Sequence, residues 1–124
     1  MLDLALLYAG AASTAVWGAA HLFPTQSVVR GFGEISPDNR RIVMMEWIVE
    51  GVALIFIGVL NGLVTILDPL HLVSRAVYLL SSMVLVVLAL VSLFTGFRIR
   101  FLPFKLCPAI FSASAVMILV GGVL

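Results

Sequence analysis

Residues 42–67 read IVMMEWIVEGVALIFIGVLNGLVTIL, an apolar run with two carboxylates, Glu46 and Glu50, near its start. On a helix each residue advances by about 100°, so with Glu46 at zero Ile57 falls at about 20°, Glu50 at about 40° and Asn61 at about 60°. Trp47 and Thr65 follow at about 100°, with Gly51, Gly58 and Gly62 on the flank. The opposite half holds Ile48, Val49, Val52, Phe56, Val59 and Leu63, and nothing polar or small. One face of this helix suits lipid, and the other must meet protein or water. The stretch therefore predicts a membrane span with a chemically distinct inner side.

The composition agrees. Of 124 residues, 63% are hydrophobic and 10% charged, and the mean hydropathy is +1.24. Seven basic and six acidic side chains cannot clothe a water-soluble domain of this size. Crossing a bilayer core takes roughly 20 apolar residues, and four runs reach or approach that length, at 4–23, 42–67, 76–95 and 106–124. The expected fold is all-α, a four-helix integral membrane bundle forming a single domain over residues 1–124. That leaves no length for a nucleotide-binding loop, and a formal net charge of +1 offers no nucleic-acid face. The first run lacks a basic leader region, its only early charge being Asp3, so it reads as an uncleaved span rather than a signal peptide. A single cysteine, Cys107, excludes an intramolecular disulfide.

Basic residues predict the threading. The connection 24–41 holds Arg30, Arg40 and Arg41, and the connection 96–105 holds Arg98, Arg100 and Lys105. The remaining connection has only Arg75. The positive-inside rule then puts 24–41 and 96–105 in the cytoplasm of a bacterial-type inner membrane, with both termini outside.

Each run shows an inner face. In the first, Gly10, Thr14, Trp17, Gly18 and His21 share a soft polar stripe, and alanines (Ala5, Ala9, Ala12, Ala19, Ala20) form the back, which suggests packing on both sides. The second is capped by Ser36-Pro37-Asp38, so its helix is expected to begin at Pro37, ahead of the apolar run. It also contains the GxxxG of Gly58 to Gly62 beside its polar face. The third run lines up Ser74, Tyr78, Ser81, Leu85, Ala89 and Ser92, with Ser82 alongside. The fourth repeats Cys107, Ser114 and Gly121 at seven-residue spacing.

Ionisable groups inside a membrane are costly and mark function by default. Glu46 and Glu50 lie a turn apart, and the first run descends to the same end with His21, one turn beyond Trp17. These three are the expected proton relay or ligand or partner contact, with Trp17, Trp47, Asn61 and Tyr78 secondary. The competing reading pairs Glu46 with Arg30, Arg40, Arg41 or Arg100 at the headgroups, and makes Trp17 and Trp47 interfacial anchors. One histidine and two carboxylates from unlinked motifs do not make a recognisable metal site, so none is predicted. His71 belongs to the opposite membrane face, which excludes paired haem ligation with His21 in one subunit. Cys107 reads as a small packing residue rather than a reactive thiol. No nucleophile–base pair is evident, so a self-contained enzyme is not expected.

Gly18-Ala19-Ala20-His21-Leu22-Phe23-Pro24, followed by Glu50-Gly51-Val52-Ala53-Leu54 and Gly58, resembles the first half of the DoxX-like family of small four-helix membrane proteins. The resemblance implies an integral membrane protein tied to oxidoreductase or quinone-linked complexes. The leading expectation is thus an accessory or anchor subunit, redox- or quinone-linked, whose partners are the lipid bilayer and either other membrane subunits or further copies of itself. The alternative is a homo-oligomeric, proton-coupled transporter or channel for small solutes that uses Glu50. The only cofactor suggested is a quinone.

Overall fold

The computed structural model describes residues 3–124, and these form five helices: α1 Leu4–Leu22, α2 Thr25–Gly31, α3 Pro37–Leu67, α4 Leu72–Thr95 and α5 Leu102–Gly122. No strand occurs among the described residues. The expected count of four helices therefore gains a short fifth, α2, in the first connection. Hydropathy could not reveal it, because it is short and held by local bonds. The Thr25 hydroxyl donates to the Leu22 carbonyl at 2.6 Å, Val29 is buried, and α2 packs on α3.

Helices α3, α4 and α5 also start earlier than their apolar runs, and for α3 and α4 side-chain caps are the reason. Ser36 Oγ accepts the Asn39 N–H at 3.1 Å and Pro37 occupies the first turn, which starts α3 at the expected residue. His71 Nδ1 accepts the Val73 N–H at 3.2 Å and starts α4. Asp3 caps α1 through the Ala5 and Leu6 N–H groups. By length and composition, α3, α4 and α5 are apolar and long enough to cross a membrane. These three helices mark a membrane protein.

Helix α1 lies between α3 and α5, while α4 packs mainly on α5 and more narrowly on α3. The α1–α3 contact is a backbone contact. A Cβ at Gly18 would meet the Gly51 carbonyl at 2.8 Å, and one at Gly58 would meet the Ala11 carbonyl at 2.5 Å. Without solvent-driven association in lipid, this proximity supplies the dispersion that holds helices together. The GxxxG reading is corrected here: a Cβ on Gly62 would meet nothing within 4 Å, and the close approach uses Gly51 and Gly58 instead. The stripe of α5 behaves as its spacing predicts. Gly121 lies on Leu6 and Leu7, Ser114 Oγ and Ser13 Oγ share a 2.6 Å hydrogen bond, and Cys107 is buried. On α4, Ser74, Tyr78, Ser81, Ser82, Leu85 and Ala89 are all buried.

Within one chain α1 is packed on one side only. Ala5, Ala9, Ala12, Ala19 and Ala20 are exposed, so the alanine back of this helix is left uncovered within one chain. The opposite face supplies all the buried residues: Leu7, Gly10, Ala11, Thr14, Gly18 and His21.

The connections sort to two ends. Trp47 of α3 meets Phe104 of α5 edge to face, with ring centroids 5.5 Å apart. This brings the start of α3 and the start of α5, with their basic neighbours, to one end of the molecule. At the other, Asp3 donates its N–H to the Gly121 carbonyl at 2.9 Å, and Arg75 donates to the Val123 carbonyl at 3.2 Å.

Candidate functional site

At the basic end, His21 closes α1 one turn past Gly18, and the Gly18–Gly51 contact draws its imidazole against α3. The His21 ring stacks on the Trp47 indole with centroids 3.8 Å apart and planes 17° from parallel. Trp47 Nε1 donates to the His21 carbonyl at 2.8 Å, satisfying one of the orphan carbonyls at the end of α1. His21 Nε2 lies 3.5 Å from Glu50 Oε2. That separation is long for a hydrogen bond, and Nε2 has no hydrogen-bond partner although the residue is only 8% exposed. The Glu50 side chain is 42% exposed. The pair is an imidazole held rigidly from behind, facing a carboxylate that remains accessible.

What Glu50 faces is a cavity of about 880 Å3. Ser27, Val28 and Phe32 line it from α2 and its end; Ile42, Val43, Glu46, Trp47 and Glu50 line it from α3. Phe101 and Phe104 line it from the start of α5, and the cavity is open on one side. Pro108 within α5 lacks the N–H that would bond the Phe104 carbonyl, so the turn presenting Phe104 is less constrained by its own helix. Its packing on Trp47 and Phe101 compensates.

The structure brings together three of the expected site residues, His21, Trp47 and Glu50. Glu46 lines the same cavity but is exposed, because the buried stripe of α3 runs through Trp47, Gly51, Leu54, Gly58, Asn61 and Thr65. That stripe is centred about 100° from Glu46, so Glu46 sits at the rim while Glu50 sits just inside it. No ion pair between Glu46 and an arginine occurs among the described residues; the carboxylates that approach a nitrogen of a basic side chain within 4 Å are Glu50, at 3.5 Å from His21, and Asp38, at 3.3 Å from Arg41. Trp47 is buried rather than an interfacial anchor. Trp17, one turn deeper, packs against the core beside Cys107.

Asn61 and Tyr78 belong to a separate cluster nearer the other end. Asn61 Nδ2 donates to the Ile57 carbonyl at 2.7 Å and to Ser81 Oγ at 2.8 Å, so this mid-span amide does link two helices. Tyr78 OH pairs with Thr65 Oγ1 at 2.9 Å. These bonds hold α3 to α4 and involve neither carboxylate. Sequence reasoning missed Phe32, Phe101 and Phe104. Their signal was slight, aromatic residues interleaved with arginines in connections, and only the fold gathers them.

No group of three or more His, Cys, Asp or Glu residues arranged to hold a metal ion occurs among the described residues. Compared with known proteins, the chain matches no family model, and no curated protein or solved structure is significantly similar to it.

Proposed function

We propose that this protein is a small four-span membrane subunit that binds a hydrophobic small molecule at its cytoplasmic end, with Glu50 and His21 exchanging a proton as the site fills. In this reading α1 is the fourth span, alongside α3, α4 and α5, and the arginine-rich connections lie in the cytoplasm. The observation that carries it is the buried, unpartnered His21 Nε2 facing Glu50 on the cavity wall. An uncompensated polar atom in a low-dielectric setting is costly, and a carboxylate with an imidazole beside it can pass one proton between them. The resemblance of residues 18–24, 50–54 and Gly58 to DoxX-like proteins is the ground for counting a quinone among such molecules.

The accessory-subunit reading draws separate support from α1. Ala5, Ala9, Ala12, Val16 and Ala19 follow one another at alternating steps of four and three residues and are all exposed. Small residues at that spacing let another helix approach closely in lipid. A partner subunit or a second copy on this face would complete a complex in which Glu50 serves the assembled site.

The substitution Glu50→Gln tests both parts. A transport or ligand site loses proton uptake or release on filling while the assembly, read by native mass spectrometry from gently extracted membranes, persists. A seat for a partner loses the assembly first. A variant that keeps proton exchange and assembly unchanged makes Glu50 structural and removes the proposal.

A further inference from the structure

The chemistry of the occupant can be taken further, on the premise that the cavity is a ligand site. Its aromatic walls come from three separate places: Phe32 after α2, Trp47 on α3, and Phe101 with Phe104 at the start of α5. Its ionisable lining consists of Glu46 and Glu50. No Lys or Arg lines it, although Arg30, Arg40, Arg41, Arg98, Arg100 and Lys105 all belong to the same end of the chain's topology. An anion would meet two carboxylates and no compensating cation. A neutral amphiphile would gain apolar contact and leave the carboxylates without a partner. A cation gains from both, since aromatic faces attract positive charge and a carboxylate in a partly dry cavity does so more strongly. The volume of about 880 Å3 falls within the range of small-molecule sites.

We propose that this cavity binds a hydrophobic organic cation, an ammonium or phosphonium bearing aryl or alkyl groups. Its charge sits between Glu50 and Glu46, and its apolar groups lie on Trp47, Phe32, Phe101 and Phe104. The buried imidazole of His21, stacked on Trp47, lies 3.5 Å behind the Glu50 carboxylate.

Protons then compete with the cation. Facing Glu50 are His21 from α1, at 3.5 Å, and Cys107 from α5, within electrostatic reach; α2 and the α4–α5 connection add no charged group to the lining. Protonating Glu50 removes attraction, and protonating His21 offsets the carboxylate's charge. Affinity for a permanently charged ligand therefore falls as the pH falls.

The test is equilibrium dialysis of tetraphenylphosphonium against the full chain in zwitterionic nanodiscs, with tetraphenylborate as the anion of the same shape. The expected result is saturable phosphonium binding, weakened about tenfold or more by Glu50→Gln, the loss of one charge contact worth about 1.4 kcal/mol. Binding also weakens in acid, and tetraphenylborate does not saturate. Glu46→Gln, at an exposed carboxylate where folding is not at stake, is expected to weaken binding severalfold. Equal binding of both ions, or phosphonium binding indifferent to Glu46→Gln and Glu50→Gln together, overturns the proposal as mere partition into an apolar surface. If only a neutral short-chain quinone saturates, and does so through Glu50, the cation assignment falls while the ligand site stands. If no probe saturates, both fall.

Discussion

Gly58 and Gly62 share one motif yet have opposite surroundings, and the difference predicts opposite substitutions. A methyl group at Gly58 would strike the Ala11 carbonyl and the Ala15 backbone nitrogen, neither of which can step aside. Gly58→Ala should cost about 1–3 kcal/mol of stability through overpacking, outweighing its gain in helix propensity. At Gly62 nothing lies within 4 Å, so Gly62→Ala should be neutral or stabilising by up to about 1 kcal/mol. Thermal unfolding of both variants in the same detergent checks the contrast, and equal destabilisation would contradict the packing described here. Asn61 offers a second residue-scale test. Ser81→Ala removes an interhelical acceptor while Asn61 Nδ2 keeps its bond to the Ile57 carbonyl, so the loss should be about 0.6–1.7 kcal/mol, in the range of such bonds in membranes.

Among the elements, α3 carries the site and also begins outside its own apolar run. Its first turn exists because Ser36 caps it and Pro37 is already set for helical geometry. Ser36→Ala should therefore fray the turn around Asn39 and Arg40, costing about 1 kcal/mol locally, without moving Trp47 or Glu50, about two and three turns on. Hydrogen exchange reads this directly: faster exchange confined to the first turn is expected, and protection lost as far as Glu50 would mean that the cap supports the whole site. Helix α2 has the converse relation to sequence. Seven residues with little apolar content form a helix because Val29 finds a buried place and Thr25 bonds back to α1. Hydrophobic periodicity has no purchase on so short an element.

At the scale of the molecule, the two proposals about topology and assembly can be separated from the site. Cys107 is buried, so a cysteine introduced at Glu34 or Leu70, both exposed and at opposite ends, reports accessibility with little background. In intact cells, Glu34→Cys should react only with a membrane-permeant thiol reagent and Leu70→Cys with an impermeant one; the reverse pattern would invert the proposed threading. Replacing Ala12 by tryptophan on the exposed alanine face of α1 should dissociate any complex built there while leaving the monomer folded. Native mass spectrometry of the wild type and the variant gives the answer, and an unchanged complex would move the interface elsewhere.

Chain chemistry alone determined the helical class, the apolar outer side of α3, the start at Pro37 and the small-residue stripes of α4 and α5. Each follows from periodicity or capping within a few turns, which act before any tertiary contact forms. The same arithmetic put Glu46 and Glu50 together on an inner face, but a helix leaves its own rotation undetermined to within tens of degrees. The Gly18–Gly51 and Gly58–Ala11 contacts set that rotation, and so turned Glu50 toward His21 while leaving Glu46 at the rim. The cavity itself was not legible in advance. Its walls come from α2, α3 and α5, whose separation along the chain carries no local signal; only the close backbone packing of the helices brings Phe32, Trp47 and Phe104 around one space.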